Sequence, residues 1–359
     1  MYLDYLASTP INENALNAMV EASRNCYGNP SSNHNSGRLS RKLMLQAQKS
    51  IADSIGAEPS EIIFTSGATE SNNLAIFGLA KLNIGKGKHL ITSSIEHSCV
   101  LNIFNYLEHA GFQVTYLDPT SDGTIDIKSV KEAIKPTTTL ISIMHVNNEL
   151  GTINPIREIG KLCLENGIAF HTDAAQSVGK LSIEVLDDNL DALSASAHKF
   201  FGPKGVGFLY LRNARFLNIE PIIHGSGQQN NIRGGTIPTP LIIGMSTALK
   251  EFRLDNHKLT ELKTLFLKQL DNCGISYTIN GMNTLSNVIN LTFGKPEDYA
   301  TYTSQLDICV SQGSACNSNS VVASHVLTAL GLTTDESFRT ARISFYDETL
   351  LASADIFKF

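Results

Sequence analysis

The sequence predicts an α/β fold: a large, mostly parallel seven-stranded sheet covered by helices, followed by a smaller α+β unit. From about residue 38, short apolar runs alternate with helical patterns. Such alternation calls for crossover helices that return each strand parallel to the last. Near residue 238 the alternation stops, and a long helical stretch leads into a second set of short elements. The 359 residues, 42% hydrophobic and 17% charged, supply enough apolar surface for a large core and a second lobe.

Residues 1–12 read as extended and as packing on the second lobe. Arg38 to Ile55 has helical spacing with one polar face. Strands are expected near 61–65, 88–93, 112–117, 138–145, 168–172, 191–195 and 206–211, with helices between most of them. Their apolar runs suit strands buried on both faces. Pro238 to Leu270 reads as largely helical, long enough to leave one lobe and enter the other. The second lobe then offers strands near Ser276–Asn280, Val288–Leu291 and Arg342–Phe345, with helices around Asp298–Leu306 and Ser324–Leu330. The expected domains are a large one at 13–250 and a small one built from 1–12 plus 251–359, with a loop at about 311–323.

Composition excludes several classes of function. A net charge of −6 does not suit general nucleic-acid binding. No apolar run approaches the ~20 residues that span a bilayer. The start, Met1-Tyr2-Leu3-Asp4-Tyr5, lacks the basic and apolar segments of a signal peptide. The six cysteines are scattered without a C-x-x-C pair, so neither a zinc site nor a disulfide framework is expected. Cys163 and Cys309 sit in apolar runs and read as buried. A cytoplasmic protein is the expectation.

Chemistry gathers where strands end. Lys199 closes the run Asp191 to Ala195 within Ser196-Ala197-His198-Lys199, and glycines follow. It is either a solvated strand-end lysine or an amine placed to bond to a carbonyl cofactor such as pyridoxal 5'-phosphate. Asp173 ends another strand, with Gln176 just beyond. A carboxylate there would keep a pyridine nitrogen protonated; the alternative is a helix N-cap. Thr65-Ser66-Gly67-Ala68-Thr69 lies between a strand and a helix, which makes either a capped helix or a phosphate site. His97, at a third junction, could stack on a planar ring and exchange protons, or simply be solvated. Cys316 stands among small polar residues in Ser311-Gln312-Gly313-Ser314-Ala315-Cys316, as an exposed nucleophile or an incidental thiol.

Together these motifs resemble the cysteine desulfurases of the NifS/IscS-like group, within the class V aminotransferase superfamily. The resemblance runs from Tyr2-Leu3-Asp4-Tyr5 almost to the C-terminus. It takes in Gly28-Asn29-Pro30-Ser31-Ser32, Ser66-Gly67-Ala68-Thr69-Glu70-Ser71, Glu96-His97 and His145-Val146-Asn147-Asn148-Glu149. It continues through Asp173 with Gln176, Ser196 to Lys199, His224-Gly225-Ser226-Gly227-Gln228, Arg233-Gly234-Gly235-Thr236 and Gly313-Ser314-Ala315-Cys316.

The resemblance implies a fold type I pyridoxal-phosphate-dependent transferase that takes sulfur from L-cysteine, giving L-alanine and a persulfide on Cys316. Lys199 would carry the cofactor covalently, Asp173 would pair with its ring nitrogen, Gln176 with its ring oxygen, and His97 would stack on the ring. Thr69, Ser196 and His198 would hold the phosphate, with backbone N–H groups at Ala68 and Thr69. Thr236 would reach the phosphate of a neighbouring subunit, which implies a homodimer. Asn148 and Arg342 would hold the substrate carboxylate, Asn148 also lying against the cofactor. Sulfur would pass to an acceptor such as an iron–sulfur scaffold protein or a tRNA-thiolation system. Leu6, where a small or polar residue is expected, Ala323 in place of a proline, Phe345-Tyr346 in place of Leu-Gly, and the early end at Phe359 depart from the pattern. The last bears on partner docking more than on chemistry. Another class V enzyme, an aminotransferase, a kynureninase-like hydrolase or a selenocysteine lyase, would share Lys199 and Asp173. A binding protein that kept the fold but lost catalysis is the rival from outside enzymology.

Overall fold

The computed structural model describes residues 1–304, 308–311 and 322–346. Two helices open the chain, α1 (Glu13–Asn25) and α2 (Asn35–Asp53). Then β1 (Ile62–Thr65), α3 (Ala68–Leu82), β2 (His89–Ser93), α4 (Ser98–His109), β3 (Gln113–Leu117), α5 (Ile127–Ala133) and β4 (Thr138–Ser142) alternate. The pattern continues with α6 (Ile156–Asn166), β5 (Ala169–Asp173), β6 (Ala192–Ser196) and β7 (Gly207–Leu211). These strands form one sheet in the order β1-β7-β6-β5-β4-β2-β3. β7 is antiparallel to both its neighbours, and the remaining pairs are parallel.

Apart from β3, partly exposed at the sheet's edge, strand residues are buried on both faces and serve the two faces alternately. Ile62 and Phe64 join the core beneath α2, α6 and α7 (Thr239–Glu251), while Ile63 joins Leu74, Phe104 and Leu107 beneath α3 and α4. Leu90 and Ile91, and Leu140 and Ile141, divide the same way. That division explains why the strands read as continuous apolar runs instead of alternating ones.

After α7 come α8 (Asn256–Asn272), β8 (Tyr277–Ile279), β9 (Val288–Phe293), α9 (Pro296–Thr303), α10 (His325–Ala329), α11 (Thr334–Phe338) and β10 (Thr340–Ser344). The last three strands make an antiparallel sheet in the order β10-β9-β8. Leu259, Leu262, Phe266 and Leu270 line one face of α8 and pack on this sheet together with Leu3. Single bridges join Tyr2 to Cys309 and Asp4 to Ser344, which seats the N-terminus on the second sheet.

Three expectations change. Pro238–Leu270 holds two helices, because Phe252 turns extended and buried while Asp255 starts a new helix by accepting the Lys258 N–H at 3.1 Å. Cys309 is exposed, not buried: its backbone is bridged to Tyr2 at the edge of the second lobe. No helix follows Asp173; residues 175–180 run as successive turns. Among the described residues no helix is long and apolar enough to cross a membrane.

Candidate active site

The carboxyl ends of β1, β2, β4, β5 and β6 converge on one cavity of about 500 Å³. Ligands of open α/β sheets collect at this edge. The cavity is lined by Lys199, Asp173, Gln176, His97, Asn148 and Arg342. Ala68, Thr69, Ser196 and His198 form another part of its wall.

One end is built for an anion. Gly67 caps α3 without a side-chain bond, so the first N–H groups of the helix stay open, and Thr69 lies on that turn. The backbones of two motifs touch there: a Cβ added to Gly207 would lie 2.3 Å from Ala195 O and 2.7 Å from Gly67 Cα. Glu70 braces the turn, its Oε2 accepting from the Ser66 N–H at 2.7 Å and its Oε1 pairing with Arg233 at 2.8 Å. Burial opposes the charge of Glu70, but Arg233 and Ser66 hold its carboxyl below the usual range. Burial, then the charges of Lys199, Lys204 and Lys180, push His198 down to about 4. It therefore faces the cavity as a neutral ring.

The middle of the cavity holds the paired amine and carboxylate. Lys199 lies on a 3-10 turn after β6 and donates to Leu6 O at 2.7 Å and Ala7 O at 2.9 Å. Asp173 accepts from the Asn72 amide at 2.7 Å and from the Ala175 N–H at 2.9 Å, so both its oxygens are fixed. Gln176 donates to Leu6 O at 2.8 Å. Leu6, expected to be small or polar, is fully buried and works through its backbone carbonyl.

His97 caps α4: its Nδ1 accepts the Cys99 N–H at 3.2 Å and lies 3.0 Å from Cys99 Sγ. Burial, only partly opposed by Asp173, holds the ring below its usual pKa, so it is neutral near pH 7. With Nδ1 accepting, the ring proton sits on Nε2. Burial and the Asp173 charge push the Cys99 thiol up to about 12, which leaves it protonated.

Arg342, 2% exposed, closes the other end. It donates to Asn148 O at 2.7 Å and pairs with Asp4 at 2.6 Å. Among the described residues, its Nε and the Asn148 Oδ1 are buried without partners. Orphaned polar atoms in a cavity signal a missing ligand, and a guanidinium suits a carboxylate. The donor set therefore fits pyridoxal phosphate: an anion cradle, a lysine, a fixed carboxylate for the ring nitrogen, and a separate cation for a small amino acid.

Thr236 is exposed and does not line this cavity. Cys316 lies outside the described residues. Sequence reasoning missed Asn72, Cys99, Lys180 and Asp4 as members of the site. Asn72 lies just beyond the quoted Ser66–Ser71 motif, and nothing local marked it as the partner of Asp173.

Residues 1–356 match the Aminotransferase class-V family. The chain is 42% identical over 352 residues to the cysteine desulfurase of Homo sapiens, covering 96% of this chain and 77% of that protein. It is 44% identical over 340 residues to the cysteine desulfurase IscS of Dictyoglomus turgidum, covering 92% and 86%. Among solved structures, "SspA in complex with cysteine" superposes with a TM-score of 0.90 at 48% identity, covering 96% of this chain and 98% of the other. A NifS-like protein superposes at 0.86 with 32% identity, covering 96% and 93%. Similarity this strong spans nearly the whole sequence and surrounds a cavity of matching chemistry, so the chain belongs to the class V aminotransferase family, in its pyridoxal-phosphate-dependent cysteine desulfurase branch.

Proposed function

We propose that this chain removes sulfur from L-cysteine with pyridoxal phosphate as cofactor, giving L-alanine and leaving the sulfur on Cys316. One observation carries the assignment of roles: Lys199, Asp173 and Arg342 line a single cavity beside the open N-terminus of α3. Bound there, pyridoxal phosphate supplies an electron sink that lets bonds at the substrate's α-carbon, and then its carbon–sulfur bond, break.

The protein's own residues do the rest. Arg342 and Asn148 bind the substrate carboxylate and so fix which bond faces Lys199. Lys199 holds the cofactor and, once released, moves the α-proton. Asp173, tethered by Asn72 and Ala175, would pair with the ring nitrogen. His97 would cover the ring and offer a proton from Nε2, which would leave the substrate's own amine to take the thiol proton of Cys316. Cys316 attacks the substrate sulfur, forming a sulfur–sulfur bond. The electron pair of the broken carbon–sulfur bond leaves with the carbon, which is protonated to alanine.

On this reading residues 13–250 form the cofactor domain, and 1–12 with 251–359 form the small domain that carries Cys316. The working unit is a cytoplasmic homodimer that passes sulfur to an acceptor protein such as an iron–sulfur scaffold. A groove of about 840 Å³ between α1, α2 and α7 stands open, lined by Leu39, Leu43 and Ile243 together with polar residues such as Glu21, Lys250 and Arg253.

The test is a visible spectrum with pyridoxal phosphate, followed by L-cysteine and assay of protein-bound sulfane sulfur. Cys316→Ser is expected to keep the cofactor band and lose the bound sulfur. Lys199→Ala is expected to lose borohydride-fixed cofactor. Undiminished sulfide release by Cys316→Ser would overturn the nucleophile, and fixed cofactor on Lys199→Ala would overturn the anchor.

A further inference from the structure

The turns after β5 carry a second lysine behind the cavity wall. Lys180 is 9% exposed, and its described partner is not a carboxylate: it donates to the Gln176 Oε1 at 3.0 Å. Burial, and then the charge of Lys199, pushes its amine down to about 7. A cation taken out of water beside another cation is costly unless an anion answers it. Among the described residues, the charged or titratable groups that act on Lys180 are Lys199 and His198, both on the 197–199 turn, and neither is an anion. Leu6 O closes the same space by accepting from both Gln176 and Lys199.

The geometry of Gln176 indicates what Lys180 serves. Its oxygen end is held by the ammonium, so its nitrogen end is turned the other way. The amide nitrogen carries two hydrogens. Leu6 O takes one, and the other remains for a group in the cavity that Gln176 lines. A pyridoxal ring brings an oxygen that ionises, which is the anion this arrangement lacks.

We propose that Lys180 is a positioning residue for the cofactor's ring oxygen: it fixes the Gln176 amide with nitrogen toward the cavity and, through that amide, favours the oxygen as an anion. This rests on the reading that the cavity holds pyridoxal phosphate. Lys180 touches neither substrate nor cofactor and acts through its neighbour. With the ring oxygen as an anion nearby, Lys180 keeps its proton, and a cation behind the ring opposes any proton added beside it. Lys180 therefore lowers the pH midpoint at which the bound cofactor's visible absorbance changes.

The experiment is a spectrophotometric pH titration of the holoprotein reconstituted with pyridoxal 5'-phosphate. Lys180→Met is expected to raise the midpoint by about one pH unit, while Lys180→Arg, which keeps the charge, stays near wild type. Gln176→Leu is expected to raise it too, and the double variant no further than the larger single change, because both act through one chain of contacts. If Lys180→Met does not fold, Lys180→Gln tests the same loss of charge in a side chain that still forms hydrogen bonds. A variant that binds the cofactor with an unmoved midpoint overturns the role of Lys180 and leaves the cavity assignment standing. Wild-type protein that develops no cofactor band overturns the cavity assignment, and this proposal with it.

Discussion

Glu96 sits fully buried at the end of β2, next to His97. Its Oε1 accepts from Ser93 Oγ at 2.7 Å and from the Met144 N–H at 2.8 Å, while its Oε2 has no partner among the described residues. Burial outweighs those two donors and, aided by the Asp173 charge, raises the carboxyl from 4.5 to about 8. Between those values the folded protein holds a proton that the unfolded chain has released. The contribution to stability is therefore complete below 4.5 and is lost as pH rises through about 8. Glu96→Gln cannot ionise. Its stability in urea, measured against wild type, should improve by a few kcal/mol on going from about pH 5 to about pH 9. A gap that stays constant with pH would show that Glu96 is not the titrating group. Glu96 also marks the limit of what one sequence displays. A charged residue in a short polar run looks solvated, and only the seating of Met144 and Ser93 buries it. Asn72 and Asp173 are 101 positions apart, and Asp4 and Arg342 are 338 apart. No periodicity carries over such distances. Lys199, Asp173 and His97 were legible because each interrupts a strand-like run at its carboxyl end.

At the scale of elements, the seven strands of the large sheet appear where apolar runs are bounded by small or polar residues, with ends shifted by one to three positions. Such buried strands give a continuous signal that loops do not imitate. The break between α7 and α8 was hidden because its residues keep helical spacing, and a cap depends on one side-chain bond. The strands do more than fill a core. Gly207 opens β7 opposite Ser196 on one side and Thr65 on the other, so it joins the Lys199 turn to the anion turn. Gly207→Ala would drive a methyl into Ala195 O and Gly67 Cα and force those two turns apart. The expected result is about a tenfold loss of pyridoxal phosphate affinity by equilibrium dialysis, with about 1–3 kcal/mol of destabilisation. Unchanged affinity would mean that the α3 turn does not hold the phosphate.

Across the whole molecule, the cavity is assembled from both ends of the chain, since Leu6, Ala7 and Ser8 at one end and Arg342 at the other, itself paired with Asp4, close a site whose remaining walls lie between residues 66 and 205. Thr236 does not line it. It follows Arg233, which is anchored to Glu70, and precedes α7, so its segment starts at the rim of the cavity but leaves Thr236 exposed. A residue placed that way can complete a site only by meeting another copy. In a two-fold dimer each site would take its Lys199 from one protomer and its Thr236 from the other. That geometry has a consequence no monomer can imitate. Thr236→Asp sets a negative charge against the phosphate, so its homodimer should fail to retain pyridoxal phosphate. Lys199→Ala homodimers should lack the covalent anchor. In a heterodimer of the two, purified through two different tags, the subunit carrying Thr236→Asp keeps its own Lys199 and receives an intact Thr236 from its partner. One site per heterodimer should therefore bind the cofactor covalently and release alanine from L-cysteine, while both parent homodimers stay inactive. If tagged heterodimers form and remain inactive, Thr236 serves its own protomer; if Thr236→Asp homodimers keep the cofactor, Thr236 holds no phosphate at all. If the wild-type protein runs as a monomer at every concentration, the shared site is wrong in principle.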